Sequence, residues 1–197
     1  MQESAYSSNL GIYKAEASSA FLQFLTGNLM SIHPLFTLSI ENSTASIFLT
    51  PCPGTKDVDL TNSLQQIKAS GAVALLTFMT QGELDKNHLS DLGEVTEAQG
   101  LLWFHLPIVD DEAPGKPFLE AWKSAGPIVH DLIAQGKSIA VHCKGGSGRT
   151  GLVSAQILVE RGETLAPLMT RIQTVRPNAF MHLCHRDYLT ELAKSLK

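Results

Sequence analysis

A chain of 197 residues with 44% hydrophobic content can bury one sizeable core, which predicts a single globular domain over residues 35–197 behind an N-terminal extension over residues 1–34. The net charge of −4 excludes a general nucleic-acid binder, whose electrostatic footprint is basic, so any phosphate chemistry must rest on a local positive site. Three widely spaced cysteines, Cys52, Cys143 and Cys184, form no C-x-x-C pair and suit a reducing compartment better than a disulfide framework, so a cytoplasmic monomer is expected.

In chain order, the first thirty residues carry no cationic leader and no long apolar run, so neither a secretory signal nor a membrane span is expected there. Ala15 to Leu25 predicts a short helix with Phe21, Leu22 and Leu25 on one face. PLFTLSI and ASIFLT predict two short strands joined as a hairpin through ENST. After the turn PCPGTKD, the spacing of Leu60, Leu64 and Ile67 predicts a helix over Val58–Ser70, stopped by Gly71 before the strand AVALLTFM. The polar stretch to Gln99 holds one or two further helices, and LLWFHLP is a strand ended by Pro107. Pro117 to Gln135 predicts a long helix, SIAVH a buried strand, and TGLVSAQILVER a helix leaving the intervening turn at Thr150. Two helices starting near Thr164 and Ala179 finish the chain. Strands alternating with helices imply one α/β domain with a central, mostly parallel sheet flanked by helices and ligand loops at the carboxyl ends of strands. LLWFHLP is expected to run beside SIAVH.

The turn HCKGGSGRTG, positions 142–151, carries the chemistry. Gly145, Gly146 and Gly148 let backbone N–H groups converge, and a helix starting just beyond them aims its positive end at the same point, which builds an anion site. A thiolate, not a thiol, is the nucleophile, and the amides, the helix terminus and the Arg149 charge would all favour the ionised form of Cys143. Arg149 can hold two oxygens of a phosphate while backbone amides from Lys144 to Gly148, Ser147 included, hold the third. Thr150 can donate its hydroxyl to the cysteine sulfur. A Walker-type nucleotide loop fits poorly, because Cys143 replaces its first glycine and Arg149 its lysine. Lys144 suits either steering of an acidic substrate or a solvated loop edge, and His142 suits orientation of the loop better than proton transfer. Asp110, Asp111 and Glu112 are three carboxyls that could protonate a departing oxygen.

The pattern His-Cys, five residues, Arg, Thr resembles the signature of the cysteine-dependent protein phosphatases. TPCPGTKDV, TQGELDKNHLSDL, FHLPIVDDEAP and the C-terminal VRPNAFMHLCHRDYL extend the resemblance to the dual-specificity branch, most of all to the cyclin-dependent-kinase-associated phosphatase subfamily. It spans about Thr50 to Leu192. It implies a protein-tyrosine-phosphatase-like fold and hydrolysis of phosphotyrosine and phosphoserine or phosphothreonine through a phosphocysteine. A phosphorylated protein, such as a kinase, is the implied partner, with no cofactor and no metal. Among the three carboxyls it selects Asp110 as the acid, three residues after Pro107, with Asp111 as the alternative. Arg176 matches an arginine that ties loops together, and His185 stands where relatives often place a glutamine that positions the attacking water. HLCHRD, with His182, Cys184 and His185 in one short run, does not present a metal set. Competing readings are a phosphoinositide phosphatase, disfavoured by Ser147 where lipid-acting relatives carry a second lysine, and a phosphoprotein-binding module without turnover.

Overall fold

The computed structural model describes residues 31–196, and the short helix expected at Ala15–Leu25 lies outside the described residues. Strands β1 (Phe36–Ser39) and β2 (Ser46–Pro51) form the expected antiparallel hairpin, whose turn places Asn42 in the left-handed region at φ 56°, a conformation Asn tolerates better than most residues. Helix α1 (Leu60–Ala69) follows, capped by the Asp59 carboxylate, which accepts from the Asn62 amide at 2.9 Å. Strand β3 (Ala72–Thr77) leads into two short helices, α2 (Gln81–Lys86) and α3 (Leu92–Ala98), and then β4 (Leu102–His105). The long helix α4 (Lys116–Ala134), strand β5 (Ser138–Cys143) and helices α5 (Gly148–Glu160), α6 (Leu165–Val175) and α7 (Leu183–Ser195) complete the chain.

The five strands lie in the order β1-β2-β5-β3-β4, and every pair except β1–β2 is parallel. Alternation sorts neighbouring residues onto opposite faces: Ile47, Leu49, Leu76, Ile139 and Val141 join one core cluster, while Phe48, Leu75 and Ala140 join another with Leu64 and Ile67 of α1. Helix α5 is buried along Arg149–Val159, which explains why its sequence reads as an apolar run rather than an amphipathic one.

Three expectations are corrected. LLWFHLP does not run beside SIAVH: β4 pairs with β3 from Ala74↔Leu102 to Thr77↔His105, and β3 separates it from β5. Hydrophobicity shows that a strand is covered but carries no information on which neighbour it takes. The helix after the signature turn begins at Gly148, two residues before Thr150. The last helix begins at Leu183, not near Ala179, because Phe180 adopts φ 61° and breaks the helical path.

Candidate active site

Strand β5 ends at Cys143, and α5 begins five residues later, so the turn between them sits at the carboxyl end of a central parallel strand. Gly146 permits its tight curl. It lies at φ 69°, and a Cβ there would collide with the Thr50–Pro51 peptide, whereas one at Gly145 would meet nothing within 4 Å. Arg176, at the C-terminal end of α6, ties the turn from outside: its Nη2 donates to the Gly145 carbonyl at 2.7 Å and its Nε to the Ser147 hydroxyl at 3.0 Å. The same guanidinium lies 4.2 Å over the Phe36 ring, so the opening hairpin supports the loop.

Under the turn runs a buried polar chain. The Trp103 indole N–H can only donate, and it donates to the Thr77 hydroxyl at 2.9 Å. The Cys143 carbonyl, 3.4 Å from His142 Nδ1, can only accept, which puts the ring proton on Nδ1 and leaves Nε2 to accept from the Thr77 hydroxyl 2.8 Å away. Burial pushes the His142 pKa down to about 3, so the ring is neutral.

Arg149 is 1% exposed and makes the densest set of contacts in the site. Its Nη1 and Nη2 donate to the two carboxylate oxygens of Glu83, each at 2.8 Å, and Nη1 also donates to the Ile108 carbonyl at 2.9 Å. Burial alone would raise the Glu83 carboxyl, but the Arg149 bonds and the Thr80 amide outweigh it and hold Glu83 below the ordinary carboxylate range. Burial opposes the Arg149 charge, and Glu83, with Cys143 and Asp110, more than offsets it, so the guanidinium is held even more firmly protonated. With the end of the fork on Glu83, the Nε–Nη2 edge remains. Nε is buried without a hydrogen-bond partner, and Nη2 forms an ion pair with Asp110 Oδ1 at 2.9 Å. An oxyanion would take that edge bidentately by replacing Asp110 on Nη2.

Cys143, Lys144, Ser147, Gly148, Arg149 and Asp110 line one open cavity of about 410 Å³, which Asp111 and His182 also border. Cys143 is 4% exposed and Lys144 is exposed at the loop edge. Asp110 reaches the cavity although β4 lies two strands from β5. Beyond β4 the chain keeps bonding to the end of β3, Leu106 N–H to the Thr77 carbonyl at 2.9 Å and Ile108 N–H to the Phe78 carbonyl at 3.0 Å, which carries the loop inward. The Thr150 hydroxyl, expected to donate to Cys143, is buried without a hydrogen-bond partner. His185 is buried, donates from Nε2 to the Glu112 carbonyl at 3.0 Å, and leaves Nδ1 unpartnered. Its Cε1 lies 3.8 Å from where a Cβ on Gly148 would be, next to the signature turn.

Glu83 is the contributor that reading the sequence for chemistry missed. Its signal was Thr80-x-x-Glu83, a capping box directly after a strand; the structure forms that box, and the same carboxylate then reaches Arg149.

A cysteine at a strand end, an anion loop, a buried arginine and an acidic loop over one cavity define a cysteine-dependent phosphatase class. The family model described as polymorphic toxin system, DSP-PTPase phosphatase matches residues 54–163, and the chain belongs to that family. It is thus a phosphatase of the dual-specificity, protein tyrosine phosphatase-like kind. Cyclin-dependent kinase inhibitor 3 of Rattus norvegicus is 27% identical over 160 residues, 74% of each chain, and that of Homo sapiens 26% over 162 residues, 74% of this chain and 75% of the relative. A crystal structure of kinase associated phosphatase with its catalytic-site cysteine replaced by serine superposes with a TM-score of 0.75 at 21% identity, covering 84% of this chain and 97% of that one. PTPMT1 gives 0.65 at 17% identity, covering 83% and 96%. Among the described residues no helix is long and apolar enough to cross a membrane.

Proposed function

We propose that the chain dephosphorylates phosphotyrosine and phosphoserine or phosphothreonine in proteins, with Cys143 as nucleophile. The observation that carries the reading is the Nε–Nη2 edge of Arg149, left with a buried, unpartnered donor beside Cys143 in the same cavity. A phosphate monoester would place two oxygens on that edge and a third on the amides of Lys144 to Gly148. The Cys143 thiolate attacks phosphorus, the bond to the departing oxygen breaks, and Asp110 gives that oxygen its proton. Water then attacks the phosphocysteine, Asp110 accepts the proton, the S–P bond breaks and phosphate leaves. Thr150, with its hydroxyl free, stabilises the sulfur as leaving group, and His185, with Nδ1 free, helps position the water. The open cavity suits side chains of different length, which supports dual specificity.

The test compares the parent with Cys143→Ser on a panel of phosphopeptides and phosphoinositides. Release of phosphate from the peptides by the parent, none by the variant, and retained peptide binding by the variant are expected, because a hydroxyl keeps the shape but is not ionised at neutral pH. Turnover by Cys143→Ser overturns the nucleophile, and faster release from the lipids overturns the substrate class.

A further inference from the structure

The acid loop is shaped by a reverse turn in which the Glu112 N–H donates to the Val109 carbonyl at 3.2 Å, with Asp110 and Asp111 as its two central residues. Asp111 sits at φ 63°, at the third position of the turn, where glycine or asparagine is ordinarily selected. A non-glycine residue persists there when its surroundings hold it. Those surroundings are the start of α7, the HLCHRD run, of which the proposed hydrolysis uses only His185. His182 Nε2 stands 2.9 Å from Asp111 Oδ1, the Cys184 thiol donates to the Asp111 carbonyl at 3.2 Å, and His185 Nε2 donates to the Glu112 carbonyl at 3.0 Å. Three successive contacts from one helix end therefore grip the two residues that follow Asp110, while Asp110 itself turns the other way, onto Arg149.

We propose that His182, with Cys184 and His185, is a clasp that fixes the acid loop through Asp111, and that His182 and Asp111 are positioning residues for proton donation by Asp110. The proposal rests on the reading of Asp110 as the acid. It gives the two neighbouring aspartates separate duties: Asp110 moves the proton and Asp111 is the handle by which the fold aims it. The turn carries this separation, with the two carboxylates on different partners, Arg149 and His182. It also makes His182, Cys184 and His185 a mechanical link between the last helix and the catalytic loop.

The strength of the link bounds the effect. The His182–Asp111 pair is solvent-accessible, with side chains 40% and 69% exposed, so its removal leaves the fold intact and shifts only the population of correctly placed loops. The loss is then at most about fivefold, and it falls on substrates that need the proton. The experiment measures kcat for phenyl phosphate, a poor leaving group, and for 2,4-dinitrophenyl phosphate, which departs without a proton. His182→Ala and Asp111→Gly, the latter free of backbone strain, are each expected to lower the phenyl-to-dinitrophenyl ratio about two- to fivefold. His182→Gln, which keeps a donor near the Nε2 position, is expected to restore most of it, and Asp111→Asn, which keeps the acceptor and tolerates the turn, to stay near the parent. In an Asp110→Asn background His182→Ala should change the ratio no further, since it acts through that carboxyl. A normal ratio in both His182→Ala and Asp111→Gly, alongside a collapsed ratio in Asp110→Asn, overturns the clasp and leaves the acid standing. A normal ratio in Asp110→Asn overturns the acid and the clasp together. An equal fall for both substrates in His182→Ala, matched by a lower melting temperature, overturns positioning in favour of a purely structural tie.

Discussion

Replacing Glu83 by Gln tests whether the buried arginine works only when its fork is locked. The glutamine oxygen can keep one of the two 2.8 Å bonds to Arg149, but its NH2 then faces the other guanidinium nitrogen, donor against donor. One charge-assisted bond is lost, worth about 1.5–3 kcal/mol. Arg149, at 1% exposure, cannot recover it from water, while the 22% exposure of the Glu83 side chain lets the glutamine relax somewhat. These opposing effects set the expected cost at about 2 kcal/mol. Borne wholly by the transition state, it corresponds to about a thirtyfold fall in kcat/KM, at 1.4 kcal/mol per factor of ten. Kinetics with an aryl phosphate, vanadate inhibition and urea unfolding measure the three places where the energy can appear. Weaker vanadate binding is expected, because the analogue uses the Nε–Nη2 edge that Glu83 orients. Glu83→Ala should cost more, since it leaves a buried guanidinium without its counter-charge. If Glu83→Gln keeps kcat/KM and vanadate affinity within twofold of the parent, Glu83 does not hold the arginine for catalysis.

Asp110→Asn should abolish the alkaline limb of the pH–rate profile and slow phenyl phosphate about a hundredfold or more while affecting 2,4-dinitrophenyl phosphate far less; if Asp111→Asn does this instead, the acid is one residue further on. Gly146→Ala forces a Cβ onto the Thr50–Pro51 peptide at a positive φ and should lower kcat/KM about a hundredfold, much more than Gly145→Ala, where the space is open; aryl phosphate kinetics on both variants decide it. Burial holds His142 near pKa 3 and His33 near 4, against about 6.5 in the unfolded chain. The folded state therefore excludes these protons, so stability is whole above pH 6.5 and falls as pH drops from there towards the folded values, by up to about 1.4 kcal/mol per pH unit for each ring. Urea midpoints from pH 8 to pH 4 should show this slope, and replacing His33 by Gln should flatten part of it; a flat profile in the parent refutes the buried neutral pair.

The sequence by itself determined the parts of this protein that depend on neighbours in the chain. The signature turn is contiguous, so its cysteine, glycines and arginine could be read together as one candidate anion site, and the loop from Pro107 to Pro114 as the place of the proposed acid. Period-two and helical spacing marked nearly every described element, because covering one face of a strand or helix leaves a local pattern. The tertiary structure alone decided the contacts between distant segments. The order β1-β2-β5-β3-β4 put β4 beside β3 and not β5, since several parallel neighbours satisfy the same buried strand. It brought Glu83 to Arg149, 66 positions away, and Cys184 and His185 to the acid loop, 73 positions away, pairings that no spacing rule encodes. It also gave the two adjacent aspartates different partners. The left-handed φ at Asp111 sits where a helix from the far end of the chain meets the turn, and which partner each aspartate takes depends on that distant packing as well as on the turn itself.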